Sequence, residues 1–492
     1  MTKHVYRLRP AGRLLDPSNE LRDQYIYFAR PDELNDPMEG FRDVVWKGDD
    51  IVWTNLFRHY VSCLNLTVVL AMVQGDDVAI TPDDIPVQGL AGDHPPPLET
   101  TILDELCAVI FDRCKLPNLI RKLSTSRRPV RREELLLYLM IIHFVAIEEV
   151  RTIHVRHGIT CESTSPRVAL KPPINPDVIP TLIARLCNEE PDIAEEFLAA
   201  LNQVSKHIYE NIILMKKYDA SKSRRRSATF EELNREFIVL DFPRAYVSQL
   251  DRLTCPDWCV ACFVEDCRNS SVWGHYGDNH KGAALMFKAE GDLESPALTL
   301  GPMAGVSSSP SSGVKHAEEG MARSYGSFQF HRINYDQKVP ELDFFRSLGV
   351  PSLGRLIDRW YTSEEGKRSK CADHLSSHAE DSWREEYWDK FYGHLSSKNG
   401  DWAYERERRI VLTSLFSDLR EPMNRKLTYR FESLAGIIFG INMPDETKVR
   451  IIDMVAKKCQ VENRKSFDFF QAYYNHETGT IEKQKLDVKL TS

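Results

Sequence analysis

The sequence predicts an α+β fold, a split sheet of mixed and antiparallel strands that carries a large α-helical insertion. Three observations predict it. Short runs with the two-residue alternation of half-buried strands stand near both ends of the chain. A long middle stretch repeats its apolar residues at helical spacing, and at 255–290 two apolar runs close around one short amphipathic helix. The sheet core is therefore expected from residues 1–50 and 237–492, with the helical insertion at 51–236 and a flexible loop at 301–326.

Val5-Tyr6-Arg7-Leu8-Arg9 alternates as a strand does. A helical or irregular turn around Leu14 to Leu21 leads to a second strand at Tyr25 to Ala29. In Asn35-Asp36-Pro37-Met38-Glu39, Asp36 can cap a helix, with Pro37 in its first position and Glu39 reaching back; Asn35 and Glu39 can equally line a cleft. Helical spacing then runs over Leu98 to Phe111, Arg131 to Val150, Ile179 to Cys187 and Ile193 to Lys217. The apolar tracts Val61 to Val73 and Leu135 to Ala146 are shorter than the roughly twenty residues of a membrane span, so both are expected as buried helices. Two basic clusters, Arg121 to Arg132 and Ser221 to Ser227, are expected as solvated loops, the second with a phosphate contact as its alternative.

Phe237 to Leu240 and Ala245 to Leu250 bring the chain back towards the sheet. Trp258 to Val264 and Ala283 to Phe287 are expected as buried strands, with a helix over Ser270 to Tyr276 between them and a turn back into the sheet at Lys281-Gly282. The Gly-, Ser- and Pro-rich 301–326 is expected as a surface loop over the cleft. Strands at Phe328 to Tyr335, Glu405 to Leu412, Leu434 to Gly440 and Phe467 to Tyr474 complete the sheet, with helices at Leu342 to Tyr361, Asp381 to Tyr392 and Asp445 to Cys459.

At 492 residues and 42% hydrophobic content, burial is not limiting. A formal net charge of −8 argues against a protein that coats nucleic acid by charge alone, and the 11 cysteines are scattered rather than spaced as a disulfide framework, which with the absence of an apolar leader points to a reducing cytoplasm. Cys255, Cys259, Cys262 and Cys267 lack the spacing of zinc knuckles, and on a strand Cys259 and Cys262 face opposite sides. No glycine-rich phosphate loop is present.

Two stretches carry the chemistry. In the first, Trp273 and Tyr276 fall three apart on one helix face beside His275 and His280, a platform for a planar, cationic ring or else part of the core. In the second, strand alternation puts Glu405, Glu407 and Arg409 on one face, either as a catalytic group or as an ion-pair ladder.

Cys262-Phe263, Trp273-x-x-Tyr276 and Lys281-Gly282, together with Asn35 to Glu39 and Lys398-x-x-x-Trp402-x-x-Glu405-x-Glu407-x-Arg409, resemble in their order the bacterial domain-of-unknown-function family numbered 2971; Arg408 stands where that family usually carries an aromatic residue. The order of elements is similar to that of mono-ADP-ribosyltransferases, whose split sheet grips NAD. That resemblance implies an enzyme that transfers ADP-ribose or cleaves NAD, with NAD as substrate and no metal. Glu405 and Glu407 would be catalytic, Arg7 would hold phosphate or ribose, and Trp273 or Tyr276 would stack on nicotinamide. The patches add Asn35, Glu39, His275, Lys281, Trp402 and Arg409 as binding residues. The acceptor would be a protein or a nucleic acid, and the setting a bacterial toxin or antiviral effector in the cytoplasm, away from membranes. Two rival readings stay open. One is a metal-dependent nuclease with magnesium on Asp36, Glu39, Glu405 and Glu407. The other is a ligand sensor or adaptor whose helical insertion binds a partner protein.

Overall fold

The computed structural model describes residues 4–36, 39–40, 42–89, 97–160, 229–291, 295–305, 322–335, 341–350, 353–375, 380–413 and 418–490, with scattered positions between 196 and 218. The described residues are a mixture of α and β. Their strands are β1 (His4–Arg9), β2 (Tyr25–Tyr27), β3 (Asp43–Trp46), β4 (Val130–Arg131), β5 (Trp258–Val264), β6 (Ala283–Lys288), β7 (Ala297–Gly305), β8 (Ala322–Gln329), β9 (His331–Arg332), β10 (Glu341–Asp343), β11 (Glu407–Thr413), β12 (Lys426–Tyr429), β13 (Leu434–Phe439), β14 (Asp468–Asn475) and β15 (Thr480–Leu486).

The chain divides into two compact units. The first comprises Met1–Phe41, Pro256–Pro340 and Lys390–Ser492. It holds an eight-stranded sheet in the order β15-β14-β13-β6-β1-β5-β11-β9 and a four-stranded sheet, β2-β12-β7-β8. The larger sheet is mixed, because β13 and β14 run parallel while its other neighbours are antiparallel. The smaller one is antiparallel. Val5, Phe28, Phe263, Phe287, Leu298, Tyr429 and Phe469, drawn from both sheets, share one core. The opposite face of the larger sheet is covered by the helix Ser270–Tyr276, whose Val272 and Trp273 pack on Leu8, Val264 and Ile438. Gly282, just before β6, has no room for a side chain, because a Cβ there would lie 2.3 Å from the Arg9 carbonyl oxygen.

One feature of the larger sheet positions the site. β1 pairs with β6 over its whole length but with β5 at a single register pair, Tyr6 opposite Val264. Beyond that pair the two strands part, and the gap is lined by side chains rather than closed by a ladder.

The second unit comprises Arg42–Cys255 and Glu341–Asp389. Its core packs the long helices Asp50–Gln74, Pro97–Arg113 and Arg132–Arg156 with a small sheet, β10-β3-β4. The apolar stretch placed at Val61 to Val73 belongs to a 25-residue helix, Asp50–Gln74, which is long and apolar enough to cross a membrane by length and composition; half of its most apolar window is buried. Of its buried polar groups, the Asn55 amide donates to the carbonyls of Trp360 and Thr362 and the Thr67 hydroxyl to that of Cys63.

Several expectations differ from what is found. The unit boundaries fall at 41/42 and 255/256, not at 50/51 and 236/237, and 341–389 belongs with the helices because Phe344, Phe345, Leu356 and Trp360 pack into the helical core. Phe237–Asp241 is a turn of π-helix followed by the helix Phe242–Gln249. The loop expected at 301–326 begins and ends as strand, since β7 runs to Gly305 and β8 starts at Ala322; 306–321 lies outside the described residues. Ile179 to Cys187 and Ser221 to Ser227 lie outside them too. In the other basic cluster three arginines are paired, Arg128 with Glu134, Arg131 with Asp43 and Arg132 with Asp251.

Candidate active site

A cavity of about 260 Å³ occupies the gap between β1 and β5. Its walls bring together stretches far apart in sequence: Arg7 and Arg9 from β1, Asn35 and Glu39, Cys262 from β5, His275 and Tyr276 from the helix Ser270–Tyr276, and Lys398, Glu405 and Glu407. Its charges are sorted, with arginines along β1 and carboxylates across from them.

Arg7 carries the basic end. It is 5% exposed, its Nη2 donates to the Tyr27 carbonyl (2.8 Å) and its Nη1 makes a long contact with that of Cys262 (3.5 Å), while its guanidinium lies 5.4 Å from the Phe263 ring centre. Its Nε has no partner, and no carboxylate pairs with it among the described residues. Burial, then the neighbouring Arg9, push its pKa down to about 9. Arg9 differs in being neutralised by a bidentate pair with Glu20. Arg13, exposed, stands at the mouth.

At the acid end three carboxylates share two cations. The Lys398 ammonium lies 2.8 Å from Glu39, 2.8 Å from Glu405 and 3.1 Å from Glu407, with all of these side chains at most 3% exposed. Arg409 grips both oxygens of Glu407 (2.6 and 3.0 Å) and one of Glu39 (2.6 Å), and its Nη1 donates to the Leu395 carbonyl. With every group ionised the cluster carries one net negative charge, three carboxylates against two cations. Burial opposes charge on Glu407, but Arg409, Lys398 and a hydrogen bond from the Cys262 thiol hold it down at about 2, so it is ionised at neutral pH. Burial raises Glu405, which Lys398 and a 2.8 Å hydrogen bond from the Tyr276 hydroxyl only partly offset. The two glutamates thus differ in proton affinity although only two positions apart.

The backbone explains how both reach Lys398. Glu405 is not on the strand as expected; it ends the 3-10 turn Gly400–Glu405, and Arg406 takes a left-handed conformation (φ 47°) before β11 begins at Glu407. Glu407 and Arg409 do share a strand face, and the Glu407 N–H donates to the Tyr335 hydroxyl at 2.8 Å. Arg408 faces the other way and pairs with Glu265.

Arg7, Asn35, Glu39, His275, Tyr276, Glu405 and Glu407 line the one cavity. Trp273, Lys281, Trp402 and Arg409 do not. Trp273 is fully buried, donates its Nε1 to the Cys267 carbonyl and stacks on His280, so it is core. Trp273→Phe is expected to cost roughly 1–3 kcal/mol in a denaturant melt and to leave ligand affinity unchanged; a weakened ligand with intact stability would return it to the site. Lys281 is exposed on the turn that follows three left-handed residues, Asp278 to His280. Trp402 is half-buried behind the cavity wall, with Lys398 Nζ 4.8 Å from its ring centre, and Arg409 lies behind Glu407. Glu39, expected either to cap a helix or to line a cleft, gives its carboxylate to Lys398 and Arg409. Lys398 and Tyr335 were not expected; Lys398 was visible only as the first letter of the Lys398 to Arg409 patch.

The donor set bears on the magnesium reading, since Glu39, Glu405 and Glu407 already hold Lys398 and Arg409. Among the described residues no three His, Cys, Asp or Glu side chains are placed to share a metal ion. No family model, curated protein or solved structure matches the chain.

Proposed function

We propose that this cavity binds NAD and that the chain breaks its nicotinamide–ribose bond, as an ADP-ribosyltransferase or an NAD glycohydrolase. The observation that carries the reading is the convergence of Arg7, Tyr276, Glu405 and Glu407 on one cavity. A buried guanidinium without a carboxylate partner suits a phosphate, which its planar fork can hold in two places. An ionised, buried carboxylate suits a centre that becomes cationic.

In the proposed reaction the bond between ribose C1′ and the nicotinamide nitrogen breaks, and the electron pair leaves with neutral nicotinamide. Glu407, ionised, stabilises the oxocarbenium-like ribose, as carboxylates do in glycoside cleavage. Water or an acceptor hydroxyl then adds to C1′, and Glu405, whose proton affinity burial raises, takes its proton. Tyr276 holds Glu405 through its hydroxyl and lines the cavity. The enclosed volume suits the nicotinamide riboside half; the other half would extend past Arg13 at the mouth. A cytoplasmic effector is the setting this reading favours.

Calorimetric titration with NAD and assay of released nicotinamide test it. Arg7→Met is expected to weaken NAD binding about 10-fold to 100-fold, the value of one or two charge-assisted hydrogen bonds. If the intact chain neither binds NAD nor releases nicotinamide, the reading is wrong.

A further inference from the structure

We propose that Lys398 is the positioning residue of the acid end of this cavity, a tethered counter-ion that sets where Glu405 and Glu407 stand and whose place a free alkylammonium ion can take. The reaction it serves rests on the reading above; the cage around it does not.

The Lys398 ammonium donates to Glu405 and Glu407 and forms a 2.8 Å ion pair with Glu39, so one cation holds three carboxylates. Its side chain is buried among these carboxylates, so the lysine acts through the glutamates. Arg409 cannot replace it, because its bonds go to Glu407, Glu39 and the Leu395 carbonyl and none reaches Glu405. For Glu405, Lys398 is the one paired cation among the described residues. Its stem is anchored on both sides. The Lys398 N–H donates to the Asn334 carbonyl, and the next residue, Asn399, caps the 3-10 turn that delivers Glu405. Two carboxylates two positions apart would otherwise repel across a left-handed residue, Arg406, that gives the chain room to part them. Lys398 lies on the cavity side and Arg409 behind it, so the lysine fixes the face a ligand would meet.

Lys398→Ala deletes the equivalent of a propylammonium ion and leaves three carboxylates with one cation. n-Propylammonium chloride is expected to raise the melting midpoint of this variant by several degrees over sodium chloride at equal ionic strength, and to leave the unaltered protein unmoved. Nicotinamide release should fall about 100-fold, the cost of misplaced reacting groups, and recover in part with the amine. The double variant Lys398→Ala/Glu405→Gln restores one net negative charge and should fold without amine and ignore it. A folded Lys398→Ala that does not respond to propylammonium overturns the proposal. So does a Lys398→Ala that stays unfolded with the amine while the double variant folds. An amine-dependent midpoint, with no nicotinamide released by any form of the protein, upholds the cage and removes the NAD reading instead.

Discussion

Glu407→Gln is expected to slow nicotinamide release at least about 100-fold, the usual loss when a preorganised electrostatic partner of a transition state is removed, while NAD binding changes little. The split follows from where the charge matters. The ribose of bound NAD is neutral and a glutamine amide can still hydrogen-bond it, whereas the oxocarbenium-like centre needs the full negative charge. The fold should survive, because neutralising one of three carboxylates leaves two against Lys398 and Arg409, a balanced cluster in place of one with a net negative charge. A melting midpoint near that of the unaltered protein is therefore the control. Unchanged release would remove Glu407 from the mechanism.

The pH dependence separates the two glutamates. Glu407, held at about 2, stays ionised across the range in which the protein is folded, so it cannot set an acid limb. Glu405 is raised by burial from the ordinary glutamate value, so a fall in rate on acidification should set in at higher pH than for an exposed glutamate and vanish in Glu405→Gln. For stability the signs oppose. The contribution of Glu407, whose folded pKa is depressed, is complete above its unfolded value and is lost as pH falls through about 2. Glu405, raised, is best accommodated when protonated and costs stability as pH rises through its folded value.

Much of this site was legible from local pattern and much was not. β5, the helix Ser270–Tyr276 and β6 fall within a residue of where alternation and helical spacing place them, because each has a dense apolar face and a turn that stops it. β15 was missed, since at the sheet edge Thr480–Leu486 buries little more than Ile481 and so carries no period-two signal. Spacing leaves Trp273 open between platform and core, since it shows that Trp273 and Tyr276 share a helix face but not which of them the sheet covers. Strand alternation gave the right neighbours for Glu405 and Glu407 by the wrong route, as the left-handed Arg406 breaks the strand yet both side chains still reach Lys398. Lys398 itself had no local signature. What makes it central is contact with Glu39, 359 positions away, and no periodicity encodes such a contact.

Arg409→Met is expected to carry the largest stability loss, about 3–5 kcal/mol in urea or thermal unfolding, because removing one partner from a buried ionic group leaves charge uncompensated. The side chain is fully enclosed and Met fills much of its volume, so the loss is electrostatic rather than a cavity effect. Three carboxylates would then face Lys398 alone, and the Leu395 carbonyl would lose its donor. Two comparisons isolate the charge. Arg409→Met/Glu407→Gln returns the cluster to one net negative charge and should recover much of the loss, a coupling that a double-mutant cycle measures directly. The deficit of the single variant should also shrink on acidification, because Glu407 without Arg409 no longer resists protonation and a neutral acid beside Lys398 relieves the excess. A loss below about 1 kcal/mol, the range of exposed pairs, would mean that the cluster is not closed to solvent, and the buried acid end on which the site depends would fall with it.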